Sequence, residues 1–167
     1  MKINAEYVFN WPLEKTIDIC VTQTVGNVQY FKESFEDVAD VKLVKLEEKD
    51  GKKHVIYEFC AHGQIPKAVQ HLLKPEMLTW REISYWDPAR KEYHFDIKTH
   101  YFTSAFTCKG YWGYMERGPE KSVQVCRGDL IIRLPIVGSL IEKAVWTNLK
   151  KNWDESDKKM KKKHGLL

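Results

Sequence analysis

The sequence lacks an apolar run long enough to span a bilayer, and its opening residues, Met1-Lys2-Ile3-Asn4-Ala5-Glu6, lack the apolar core of a signal peptide. A cytoplasmic protein is therefore expected. It lacks CxxC pairs. Cys20, Cys60, Cys108 and Cys126 stand far apart with no neighbouring histidine cluster, a spacing that argues against zinc and predicts four reduced, mostly buried thiols. It also lacks a nucleophile elbow, a P-loop, a dinucleotide fingerprint, an HExxH pair and an EF-hand loop. Gly110-Tyr111-Trp112-Gly113 has no third glycine and no strand–turn–helix setting, so it is not read as a phosphate loop. No metal, no cofactor and no catalytic set is assigned. Repeats and low-complexity linkers are absent, and residues 1–167 read as one domain in which 158–167 form a lysine-rich extension. Outside that extension positive and negative charges nearly balance. The net charge is +4, and Lys158, Lys159, Lys161, Lys162 and Lys163 sit in one cluster, so no nucleic-acid surface is expected.

What the chain does have is aromatics, at 13%, within 43% hydrophobic and 30% charged residues, a globular composition. Glu6–Asn10 reads as a first strand. Asn10 is expected to cap a helix starting at Trp11-Pro12, and Asn27 a second one through Val28, Phe31 and Phe35. Strands follow. Val41–Glu48 and His54–Cys60 flank Asp50-Gly51, a strong hairpin signal, with Val55, Tyr57 and Phe59 on one face. Ile65–Leu73 reads as a short helix. Leu78–Trp86, Glu92–Phe102, Phe106–Met115 and Ser122–Leu134 are further strands, consecutive and joined by short turns, which predicts an antiparallel sheet. The chain ends in one long amphipathic helix carrying Ile141, Val145, Leu149, Trp153 and Met160 on one stripe. Ser139 and Glu142 have the spacing of a capping box, and Gly165 of a helix stop.

This order, with Asn10-Trp11-Pro12-Leu13-Glu14 after the first strand, Ile65-Pro66 opening the inserted helix and Leu134-Pro135-Ile136-Val137-Gly138 before the last helix, resembles the helix-grip superfamily of START-like and plant-allergen-like domains. It is most similar to a bacterial START-like family. The resemblance spans nearly the whole chain and rests on structural joints, not on chemistry. It implies an α+β fold: a curved antiparallel sheet of about seven strands wrapped around the C-terminal helix, two short helices after strand one, and a cavity for an apolar ligand between sheet and helix.

On that architecture the expected cavity lining from the sheet is Tyr57, Phe59, Trp80, Arg81, Phe95, Tyr101, Trp112 and Tyr114. From the terminal helix it is Val145, Trp146 and Leu149, with Trp146 facing Phe95 and Trp112. Arg81 and Glu82 are adjacent in one strand, so one must point inward, either as a headgroup contact or as half of a cross-strand surface pair. The histidines, His94 and His100 among them, are assigned to the surface. The function expected is binding of a lipid or isoprenoid-like molecule, as carrier or sensor. The alternatives are a cyclase- or hydrolase-type enzyme using the same cavity, with Glu82 and His62 as its candidate pair, and a protein-interaction module whose cavity is filled. The terminal lysines suit transient contact with an anionic membrane.

Overall fold

The period-two alternation along most of the chain is satisfied by one sheet. The computed structural model describes residues 1–35, 38–61, 71, 74, 77 and 79–166. Strand β1 (Lys2–Phe9) is followed by helix α1 (Leu13–Ile17), a π-turn (Asp18–Thr22) and helix α2 (Val28–Ser34). Strands β2 (Val38–Lys49), β3 (Lys52–Ala61), β4 (Thr79–Asp87), β5 (Glu92–Thr99), β6 (Phe106–Gly118) and β7 (Lys121–Ile132) then lead into helix α3 (Gly138–Lys163). The sheet order is β1-β7-β6-β5-β4-β3-β2, antiparallel throughout. This is the helix-grip arrangement, α+β with seven strands. The short helix expected over Ile65–Leu73 lies outside the described residues, as do His62 and Leu78.

Register decides which side chains face the helices. Ile3, Ala5, Tyr7 and Phe9 of β1 stand opposite Gly128, Cys126, Gln124 and Ser122 of β7, and all four β1 residues are buried on the concave face. The same face carries Cys108, Trp112 and Tyr114 of β6, Tyr93, Phe95 and Ile97 of β5, and Val55, Tyr57 and Phe59 of β3. On the convex face His54, Tyr85, His94 and Tyr111 form one rung across β3 to β6. Tyr85 and His94 stack with centroids 4.7 Å apart at 10°, and His54 and Tyr111 meet them tilted at 5.6 Å on either side. Lys52 lies over Tyr85 at the rim of this rung. Gly110 and Gly128 are directly opposed in β6 and β7, where a Cβ on either would collide with the backbone of the other strand. The two strands approach there as only glycine permits.

The core is split. Around β1, β7 and the inner side of α3 lies one cluster that includes Ile3, Phe9, Trp11, Phe95, Leu130 and Ile141. The other, Val41, Val55, Tyr57 and Phe59, is covered by Phe31 of α2, whose ring meets Tyr57 at 4.8 Å. Helix α3 packs on β7 and β1, and α2 packs on β2.

Several local expectations need correction. β1 begins at Lys2, earlier than expected, because its alternating residues pair with β7 along their whole length. Asn10 caps nothing. Pro12 stays extended at ψ 154°, so α1 starts at Leu13 and Trp11 turns into the core, stacked on Phe9. Ser139 makes no capping bond. Instead Glu142 reaches back to β7 and accepts the Ile132 N–H at 2.8 Å. The lysine-rich end is no appendage. Lys161 pairs with Asp157 and lies over the Phe9 ring at 4.9 Å, and Leu166 packs on the core. Asn27 does cap α2, accepting from Tyr30 N–H. Asp50 and Gly51 turn the hairpin with φ of 55° and 71°. Gly165 (φ 78°) ends α3 with the paired bonds Gly165 N–H to Lys162 O and Leu166 N–H to Lys161 O. All four cysteines are free thiols.

Candidate functional site

The middle of the concave face, on β4 and β5, lies between the two core clusters. Glu82 sits there because its register partners, Tyr57 in β3 and Ile97 in β5, point inward. Its Oε1 accepts from Ser84 Oγ at 2.7 Å and from Tyr93 OH at 3.1 Å. Burial pushes the Glu82 carboxyl above the usual carboxylate range, against a smaller opposing pull from these two donors. Burial and the adjacent Glu82 charge push the Tyr93 hydroxyl well above its ordinary value. Tyr57 is also fully buried, and its hydroxyl accepts the Gly26 N–H at 2.5 Å. Burial drives its pKa up to about 12. A carboxyl so placed, flanked by two hydroxyls and walled by Trp80, Phe59 and Tyr57, can accept a bond from a ligand.

Around this acid the inward side chains are incompletely packed. Trp80, Glu82, Trp86, Tyr93 and Trp112 all keep accessible surface although they face the interior. From α3, Trp153 meets Trp112 edge-on at 4.8 Å, and Trp146 meets Trp153 edge-on at 5.8 Å. Trp146 also borders an open groove along α3 with Lys150, Asp154 and Lys158.

A second polar network closes the far end. Tyr7 OH donates to Asp154 Oδ1 at 2.8 Å, Lys150 pairs with the same oxygen, and Lys161 donates to Asp157 Oδ2 at 2.7 Å. Burial, followed by the charge of Asp157, pushes the Cys20 thiol up to about 12, so it is an inert thiol. Tyr114, buried, accepts from Gln124 at 2.9 Å. This network ties α3 to β1.

The expected lining divides accordingly. Tyr57, Phe59, Trp80, Phe95, Trp112 and Tyr114 lie on the concave face, and Val145, Trp146 and Leu149 are half-buried on α3. Arg81 does not line the site. It points to the convex side and pairs with Glu58 at 3.1 Å, because alternation commits one of two adjacent residues to each face and Glu82 takes the inner one. Tyr101 does not line it either. β5 ends at Thr99, and Tyr101 is 45% exposed in the following loop. Trp153, not Trp146, is the helix residue over Trp112. Ser84 and Tyr93 were missed as site residues. Their one sequence signal is that they share Glu82's parity on adjoining strands. His94 stands on the convex face against Glu92, and His100 is exposed near Glu58.

The family described as protein of unknown function (DUF2505) matches residues 6–162. No curated protein matches the chain. Among solved structures, norcoclaurine synthase from Thalictrum flavum, in complex with dopamine and hydroxybenzaldehyde, superposes with a TM-score of 0.69 at 10% identity, covering 98% of this chain and 87% of that one. The Zhui aromatase/cyclase from a Streptomyces strain gives 0.64 at 14% identity over 96% and 93%. A START superfamily protein from Mycobacterium smegmatis gives 0.62 at 12% identity over 96% and 97%. At these identities the likeness shows the fold. Among the described residues, no helix is long and apolar enough to cross a membrane.

Proposed function

The chain belongs to the DUF2505 family, and we propose that it binds a hydrophobic small molecule, lipid or isoprenoid-like, between the concave face and α3. One observation carries this reading. Helix α3 is seated on β7 and β1, α2 on β2 and against α3, and the inward residues Trp80, Tyr93 and Trp112 keep accessible surface. A filled core would leave those rings dry. Removing apolar area from water there contributes about 25 cal/mol per Å². The hydroxyls and carboxyl of the Glu82 group then orient the polar end of the ligand.

Native mass spectrometry of the gently purified protein tests this, joined to a fluorescence titration with dodecanol, an uncharged amphiphile. A bound species lost on denaturation, or saturable dodecanol binding, is expected. A bare mass together with no dodecanol binding overturns the reading in favour of a filled interaction module.

A catalytic reading is favoured by the Glu82 carboxyl, which burial raises above its ordinary value and which two hydroxyls hold at the centre of the concave face. A carrier role that collects cargo from a bilayer is favoured by exposed Lys158, Lys159, Lys162 and Lys163 at one end of α3, since basic residues near an anionic surface contribute about 1 kcal/mol each.

A further inference from the structure

The chemistry around Glu82 selects one kind of polar end, and this rests on the concave face being a ligand site. Three rungs cross the centre of that face: Phe59–Trp80–Thr99, Tyr57–Glu82–Ile97–Cys108 and Val55–Ser84–Phe95–Gly110. They hold one carboxyl and no cation. Both donors that reach Glu82 converge on Oε1, and Oε2 receives no bond from a described residue. One rung away, diagonal to Glu82, Thr99 Oγ1 is buried with no described partner. Aromatic rings surround the pair, Phe59 stacked on Trp80 at 5.5 Å and Tyr93 bonded to the carboxyl itself.

An anionic head would meet a carboxyl with no compensating cation, a costly arrangement in an apolar setting. A hydroxyl head would be accepted, with one neutral bond. A cation gains twice, from the carboxylate oxygen that no described residue bonds and from the aromatic rings of Trp80, Tyr93 and Phe59 around it. We infer that the ligand is an apolar molecule ending in a protonated amine, seated with its ammonium between Glu82 Oε2 and Thr99 Oγ1 and against the rings. The protein is itself net positive, +4, so a preference for cations cannot come from its overall charge.

The test compares dodecylamine, dodecanol and dodecanoate by titration calorimetry on the full chain, below their micelle concentrations, with wild type and Glu82→Gln. In wild type, dodecylamine binds at least about tenfold more tightly than dodecanol, as a charge-assisted bond requires, and dodecanoate binds most weakly. Glu82→Gln abolishes the amine preference, bringing dodecylamine to the affinity that dodecanol shows for the same variant. Dodecanoate binding as tightly as dodecylamine, or an amine preference surviving in Glu82→Gln, overturns the inference while the apolar site stands. Failure of all three ligands removes the site itself. The wild-type ranking decides even where the variant does not fold.

Discussion

The Glu142 carboxylate, one turn into α3, accepts the backbone N–H of Ile132 at 2.8 Å, while its other oxygen lies 3.4 Å from the Met1 ammonium. The helix is thus pinned to the last strand and the chain start by one side chain. The Ile132 N–H, then the ammonium charge, hold the Glu142 pKa below its usual range. Glu142→Ala leaves a half-buried amide without its acceptor and is expected to cost about 2 kcal/mol in urea unfolding. Ser139→Ala, with no capping bond to lose, should stay within about 0.5 kcal/mol. A depressed carboxyl stabilises above its unfolded pKa and loses that contribution as pH falls through the folded one. The difference between wild type and Glu142→Ala should therefore shrink in acid.

Glu82 has the opposite sign. Its carboxyl is raised in the fold, so the native state binds more protons than the unfolded chain between the two pKa values, and stability falls as pH rises through that window. Glu82→Gln should raise the melting temperature at pH 8 and lose its advantage below about pH 4, where both states are protonated. A gain independent of pH would mean that the carboxyl titrates normally.

The chain beyond Met160 supplies the Lys161–Asp157 pair, the His164 ring on Trp11 and the Leu166 contact. Deleting it strands Asp157, whose Oδ1 already lacks a described partner. The truncated chain should lose about 3 kcal/mol or more in urea, as when one partner of a buried pair is removed. A midpoint equal to that of the full chain would return these residues to the status of a tail.

Trp153→Ala and Trp146→Ala should separate. Trp153 lies against both Trp112 and Trp146, whereas Trp146 borders the open groove along α3. Both are half-buried, so each should fall below the about 3–5 kcal/mol of a fully buried tryptophan, with Trp153 the costlier. Dodecanol affinity should change in Trp153→Ala more than in Trp146→Ala.

Replacing Lys158, Lys162 and Lys163 by Gln should weaken association with anionic vesicles and leave the melting temperature unchanged, since all three are exposed. Equal sedimentation with vesicles at low and moderate salt would remove the membrane contact.

What could be read from the sequence is what depends on neighbours in the chain. The alternation of Val55, Tyr57 and Phe59 and the Asp50-Gly51 turn are local signals, and the structure keeps both. Arg81 and Glu82 were undecidable, because two adjacent charges fit either parity and the choice is made by pairing with Tyr57 and Ile97 from distant segments. Ser139 and Glu142 match a capping box in spacing, yet Glu142 finds a better donor in Ile132, ten residues back. Tyr101 has the correct parity for the interior, but β5 stops two residues earlier, and Phe102 follows at φ 55°. The site was legible as a face, and its chemistry only as register.

The convex rung of His54, Tyr85, His94 and Tyr111 has a mechanical consequence. Curling a sheet stretches its outer surface, and rings in face-to-face contact across β4 and β5 resist that stretch as a splint does. The opposed glycines 110 and 128 carry no side chains to oppose bending, so the crease falls between β6 and β7.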